Sequence, residues 1–278
     1  MSQTHLSRAG SAGRRLLPRR KRPASLAWGH LALVAALLIG WQILYVVVGE
    51  NVFASPAETG TAFVSNLPDW YPDLRSTLTV LVIAMIATAV LGVLIGFLVG
   101  LSEFWTEVLR PILLTIYAIP KIAIYPIFLL VFKIGFSTLV LFSIFHGIIP
   151  VILLVMEGTR GIPAIQIKLA RVYNLSFLQK CRYILLPSLA PVVAEAVRMG
   201  ASLTFLGLVV AEMFGSSSGL GNRLVAYLNL NQTENILSVF ILISLVGIVL
   251  SVLLLHWERS VQRRSGLVPD SGLAGPKP

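Results

Sequence analysis

Charge is what this sequence has least of: Asp, Glu, Lys and Arg together make up 12 % of its 278 residues, about half the share in an ordinary soluble domain. With hydrophobic residues at 56 % and a mean hydropathy of +0.85, a disordered chain and a typical water-soluble domain are both excluded. The single cysteine, Cys181, rules out an internal disulfide. No Cys/His cluster has zinc spacing, so no metal ligand is assigned. Gly-Lys-Ser and Gly-Lys-Thr are missing, and with them the loop that cradles nucleotide phosphates. His30, His146 and His256 stand apart in apolar stretches, no Ser/His/Asp constellation can be assembled, and no catalytic residue is assigned.

What the sequence does have is long apolar runs. A membrane helix needs about 20 mostly apolar residues, and six such runs fall at about 26–48, 74–101, 111–132, 137–156, 191–211 and 236–256. The expected architecture is all-α, a polytopic membrane bundle of about six transmembrane helices spanning 26–258. A basic tail (1–25) precedes it, a second tail (259–278) follows it, and a long polar loop (157–187) interrupts it. The first run is longer than the apolar region of a cleavable signal peptide and ends in Val-Val-Val-Gly-Glu, so it is expected to be retained. Pro56, Gly60, Pro68 and Pro72 predict an external loop over 50–73 with at most a short helix. Gly92, Gly96 and Gly100 lay a smooth stripe on one helix face, suited to close helix packing or, less directly, to dimerisation. Pro120, Lys121 and Pro126 interrupt the third run and predict a broken helix facing protein.

The formal net charge is +10, but where the charge lies matters more than its sum. With the N-terminus inside, 17 of the 22 Lys and Arg residues fall on the cytoplasmic side, the side that retains positive charge. The chain is thus expected to be a multi-pass protein of the plasma (bacterial inner) membrane with both termini cytoplasmic. Because the basic residues border spans and do not form a folded face, no nucleic acid is expected as a partner. The Gly10–Arg22 tail serves topology alone or touches anionic membrane lipid.

The loop 157–187 has a pattern of its own. Ile165, Leu169, Val172 and Tyr173 recur at helical spacing, with Lys168 and Arg171 on the other side, which describes a short amphipathic helix. Asn174 stands where the chain must reverse, and Asn enters the left-handed region at low cost. Ser176 with Gln179 then signals a capped second helix running to Pro187. Neither helix is long enough to span, so the apolar face meets the membrane surface or another protein.

Lys168-Leu169-Ala170, three residues, Asn174, nine residues, Ile184, one residue, Leu186-Pro187 has the spacing of the Glu-Ala-Ala, Gly, Ile-x-Leu-Pro loop in permease subunits of binding-protein-dependent ABC importers, which this chain resembles over about 74–258. Two further stretches, 118–123 (Ala-Ile-Pro-Lys-Ile-Ala) and 209–221 (Val-Val-Ala-Glu-Met-Phe-Gly-Ser-Ser-Ser-Gly-Leu-Gly), look like the branch that handles nitrate, sulfonates and taurine. The resemblance implies the type I importer permease fold, a permease homodimer, a cytoplasmic ATPase dimer docked on the loop, and an extracytoplasmic solute-binding protein. ATP and Mg would be used by that ATPase, and no cofactor by this chain. The chain departs from the family at Lys168, where Glu is usual, at Leu169 for Ala, and at Asn174 for Gly. Asn keeps the turn; Lys168 reverses a charge at the partner contact.

The remaining candidates each carry two readings. Arg198, about 16 Å along its helix from Pro187, either faces the pathway and favours an anion or is neutralised by Glu195 at i−3. Lys121, behind Pro120, either lines the pathway on unwound backbone or snorkels and stabilises the kink. Glu212, Gly215 and Gly219 are placed by the resemblance near the docked solute receptor; a flexible external turn is the plainer account. The expected substrate is a small anion such as a sulfonate, nitrate or a carboxylate. The rival class is a self-sufficient secondary transporter or channel, which would be expected to carry mid-membrane carboxylates or an ion filter, for which only Glu195 offers itself.

Overall fold

In the computed structural model residues 24–49 and 52–264 are described; the basic residues of 1–23 and Lys277 lie outside them. The helices among the described residues are α1 (Ala24–Val48), α2 (Pro56–Gly100), α3 (Glu103–Ala118), α4 (Lys121–Phe132), α5 (Phe136–Arg160), α6 (Ala164–Val172), α7 (Phe177–Lys180), α8 (Leu186–Gly215), α9 (Leu220–Asn229) and α10 (Thr233–Arg264). A π-helical turn, Cys181–Leu185, joins α7 to α8. Among the described residues five helices are long and apolar enough to cross a membrane, or six if α3 and α4, bent by 93° at their break, count as one span.

The segment expected as an external loop is helical from Pro56 onward. The Ser55 hydroxyl accepts the Glu58 amide at 3.2 Å while the Glu58 carboxylate accepts the Ser55 amide at 2.8 Å, and Pro56 occupies the first helical position, where its missing N–H is no loss. Pro68 and Pro72 lie inside α2. The carbonyls they free, on Val64 and Pro68, belong to exposed residues, where solvent can satisfy them. On the opposite face Trp70 is fully buried and donates to the Tyr227 hydroxyl at 2.9 Å, so tertiary packing overrides the two breakers. At 45 residues, α2 is about 67 Å long, over twice the bilayer's apolar thickness of about 30 Å.

α2, α5 and α8 form the core. The glycine stripe packs within the chain: a Cβ at Gly92 would lie 2.7 Å from Val151 Cγ1, one at Gly96 2.7 Å from the Ile152 carbonyl, and one at Gly100 2.8 Å from the Met156 carbonyl. Where the three helices cross, Thr204 donates to Thr88 at 3.2 Å, and Gly147 and Gly200 admit the close approach. Around this core the outward faces are apolar, with Ile86, Val90, Ile248 and Leu253 all exposed, as a lipid-facing surface requires. α1 stays at the margin, tied by Trp41 Nε1 donating to the Ala54 carbonyl at 3.0 Å.

The third run breaks at Pro120 as its prolines predict, but the helix begins at Glu103, ahead of the expected position near 111. Ser102 caps it, and the polar residues that suggested a turn instead pair with the end of α5: Arg110 with Glu157 at 2.9 Å and Glu103 with Arg160 at 2.8 Å. α4 turns Tyr125 inward, its hydroxyl donating to the Ala211 carbonyl at 2.8 Å. Its other face, Ile127, Leu130 and Val131, is exposed.

Candidate functional site

One end of the bundle carries a projecting hairpin, α6 and α7. Leu175 N–H donates to the Ala170 carbonyl and Asn174 N–H to the Arg171 carbonyl, each at 3.0 Å, with Asn174 at φ +50°. That is the paired bonding that ends a helix through a left-handed residue. Ser176 and Gln179 then cap α7 reciprocally. The second helix does not stop at Pro187: through the π-helical turn it continues into α8, giving an unbroken rod from Phe177 to Gly215. Pro187 falls in the first turn of α8, immediately after the π-helical turn, so it follows a local rearrangement of the ladder and does not end the rod. The hairpin's second arm and a core helix are therefore one continuous element.

Of the loop residues singled out by sequence, Ala170 is buried at the hairpin's base and Ile184 half-buried. Ile165, Leu169, Val172 and Tyr173 are 70, 52, 76 and 69 % exposed, and Lys168, Leu186 and Pro187 are exposed too. Phe177 and Leu178 of α7, not singled out from sequence, are exposed as well; their places after the Ser176 cap were the available signal. Ser188 Oγ donates to Gln166 Oε1 at 2.8 Å and ties α6 to the start of α8. Beside this tie, a groove of about 710 Å³ is lined by Pro163 and Pro187 on one side and Val261 and Arg264 of α10 on the other.

The opposite end holds a buried polar knot. Glu212 is fully buried; its carboxylate accepts Thr77 Oγ1 at 2.8 and 3.0 Å and the Gly221 amide at 2.9 Å. Thr77 in turn accepts the Leu220 amide at 2.9 Å, and Asp73 accepts the Gly219 amide at 2.9 Å. Three consecutive amides at the start of α9 are thus satisfied by side chains from α2 and α8. Both carboxylates sit at the positive end of that helix. Asp73 also accepts from Arg223, whose Nη2 lies 2.6 Å from Asp73 Oδ2, and this contact raises the Arg223 guanidinium above its ordinary value despite burial. The flexible turn offered as the plainer account of Gly215–Gly221 is a pinned one. Gly219 has φ +103° and its Cβ would strike the Glu212 carboxylate; a Cβ on Gly215 would lie 2.6 Å from the Tyr125 hydroxyl. Arg223 was placed on the outer side by sequence, but Asp73, Thr77 and Arg223 were not assigned to the site because their partners lie far along the chain; the polar pair at i, i+4 opening an apolar run was the signal.

Between the two ends, Arg198 pairs with Glu258 of α10, not with Glu195. Glu195 is exposed and makes no ion pair among the described residues, although its i−3 spacing makes it a neighbour on α8; Glu258, brought in by α10, takes the guanidinium instead. Pro120 caps α4 without a side-chain bond. Lys121 is buried, its Nζ donating to the Tyr117 carbonyl at 3.3 Å and lying 4.6 Å from the Tyr117 ring centroid. In a continuous helix that carbonyl would take the Lys121 backbone amide; at the kink the side chain of the same residue supplies the donor. No hydrogen bond or ion pair joins Lys121 to Glu195 or Arg198 among the described residues.

Among the described residues, an apolar-faced helical bundle with membrane-spanning lengths and an exposed apolar hairpin continuous with a core helix is the architecture of an integral membrane protein. The sequence profile of the family described as "binding-protein-dependent transport system inner membrane component" matches residues 90–266, and the chain belongs to that family, the permease subunits of ABC importers. It is 28 % identical to SsuC of Bacillus subtilis, named as a transport permease for aliphatic sulfonates, over 82 % of this chain and 85 % of that one. It is 27 % identical to the nitrate import permease NrtB of Synechocystis, over 84 % and 91 %, and 24 % identical to the taurine permease TauC of Escherichia coli, over 87 % and 89 %. Among solved structures, the inward-facing MetNI methionine ABC transporter shares the fold at a TM-score of 0.52 and 16 % identity, covering 64 % of this chain and 93 % of that one.

Proposed function

We propose that this permease carries a small anion, a sulfonate, nitrate or carboxylate, across the inner membrane. In this reading a solute-binding protein delivers the anion on the outer side and a separate ATPase dimer, using ATP and Mg, drives the cycle from the cytoplasm. The observation that carries the reading is the α6–α7 hairpin. Its apolar side chains remain half to three-quarters exposed, and burying the rest would contribute at most about 1.5–3 kcal/mol each. The rod from Phe177 to Gly215 gives the docked ATPase a lever on the core. Relatives named for nitrate, sulfonate and taurine transport support the anionic class.

The positive-charge asymmetry supports cytoplasmic termini, with the hairpin inside and the Glu212 knot, Gly215 and Gly219 on the receptor side. A second copy of this chain would complete the pathway, and Pro120, Lys121, Glu195 and Arg198 are the residues we assign to it. Lys168, where the family loop usually carries Glu, meets an acidic or neutral site on its ATPase and narrows the choice of partner. The test is affinity capture of the tagged permease in mild detergent. Recovery of a P-loop ATPase with the parent chain, lost with Leu169→Asp, is expected; recovery unaffected by Leu169→Asp would remove the docking role.

A further inference from the structure

Among the described residues the Glu212 end contains three cations, Arg75, Lys133 and Arg223, in different settings. Arg223 is neutralised by Asp73. Lys133 is exposed too, but it closes α4 at φ +62° and lies outside the groove that Arg75 lines. Arg75 is exposed, and no hydrogen bond or ion pair engages its guanidinium among the described residues. The acids nearby are committed elsewhere: Asp73 to Gly219 and Arg223, Glu212 to Thr77 and Gly221. Asp69 acts on Arg223 and stands six residues before Arg75, about 240° round the helix from it.

Arg75 lines a groove of about 410 Å³ between α2 and the start of α5, with Tyr71, Ser76, Thr79 and Phe136. The Ser76 hydroxyl is 3.1 Å from that of Ser218, which brings the Ser216–Ser218 turn to the groove's rim. Gly100, at the other end of α2, is about 37 Å away along the helix, so Arg75 stands at the edge of the apolar layer. A guanidinium presents five N–H donors in a planar fork matched to oxyanions. Hydroxyls flank it, and the volume lies within the range of small-molecule sites.

We propose that the Arg75 groove is a binding site for a small free oxyanion of the sulfonate or nitrate type, at the mouth through which the solute enters. The assignment rests on the anion-permease reading above. Arg75 supplies the charge and the fork, while the Tyr71 hydroxyl and the Ser76–Ser218 pair add neutral donors.

The test uses the full chain in phosphatidylcholine nanodiscs without an ATPase, so it stands apart from the capture experiment. Phenylglyoxal modification of Arg75 is followed by peptide mass spectrometry. Arg110, ion-paired to Glu157 at the far end and 57 % exposed, serves as internal control. Protection grows as one plus ligand concentration over Kd, so sodium ethanesulfonate at about twice Kd should slow modification of Arg75 about threefold. Sodium chloride at equal ionic strength should not, and Arg110 should be unaffected by either salt. Equal slowing by the two salts, equal slowing at both arginines, or protection of Arg75 only by phosphatidylglycerol in the disc would overturn the proposal. The last result would assign Arg75 to lipid phosphate. Protection of Arg75 alongside a failed ATPase capture would leave the site standing and sink the importer reading for this loop.

Discussion

Replacing Gly219 with Ala tests the pinned turn through two independent costs. The residue sits at φ 103°, ψ 162°, a region open essentially to glycine alone, which charges any other residue about 1–3 kcal/mol. The added Cβ would also run into the Glu212 carboxylate. That group cannot swing away without abandoning Thr77 and the Gly221 amide, and overpacking of this kind costs a further ~1–3 kcal/mol. Together these predict a loss of roughly 2–6 kcal/mol. Gly60→Ala is the matched control: Gly60 lies inside α2 with nothing within 4 Å of its Cβ position, and a helical Gly→Ala change there should stabilise by about 0.5–1 kcal/mol. Thermal unfolding of both variants in one detergent at one scan rate reads the difference. At about 2–4 °C per kcal/mol for a chain of this size, the midpoint of Gly219→Ala should fall by at least ~4 °C while Gly60→Ala holds or rises. A Gly219→Ala protein melting with the parent would refute the reading of the turn as fixed by Glu212.

Thr77→Val keeps the side-chain shape but strips Glu212 of a donor and the Leu220 amide of its acceptor; about 1–3 kcal/mol per orphaned group predicts a large drop in melting temperature, which Thr77→Ser should largely restore. Gly96→Ala should destabilise by about 1–3 kcal/mol, because the new methyl meets the Ile152 backbone; a neutral melting curve would mean that α2 and α5 are not in contact there. Arg198→Glu and Glu258→Arg should each lower thermal stability, and the double exchange should recover most of it; strictly additive losses would mean that the α8–α10 pair does not form.

The hairpin was the most legible part because its signals are local. Asn174 at the reversal and Ser176 with Gln179 are read within a few residues, and the structure uses each of them for the expected purpose. The glycine stripe was equally plain, since a four-residue repeat defines a helix face before its neighbour is known. The start of α2 went the other way: Pro68 and Pro72 outweighed the Ser55–Glu58 capping box, although that box was also in the sequence. What held the prolines inside a helix was Trp70 against Tyr227, a contact between residues 157 positions apart. Distance along the chain also hid the partners of Arg198 and Glu212. Helical spacing offers a residue its neighbours at i±3 and i±4, so Glu195 was the visible candidate for Arg198; Glu258, 60 positions away, becomes a candidate only once α8 and α10 are packed. Lys121 was located correctly at the kink, but its bond to the Tyr117 carbonyl depends on a 93° bend that proline positions imply without specifying.

The central claim is that this chain moves its solute only when a separate ATPase works on the hairpin. The direct measurement is uptake into proteoliposomes containing the permease, the ATPase it captures and the solute-binding protein that restores transport. ATP is supplied on the hairpin side or withheld, with and without an imposed ion gradient. The account predicts uptake that requires ATP, ignores the gradient and is lost with Leu169→Asp. Uptake by the permease alone, driven by the gradient without ATP, would contradict it.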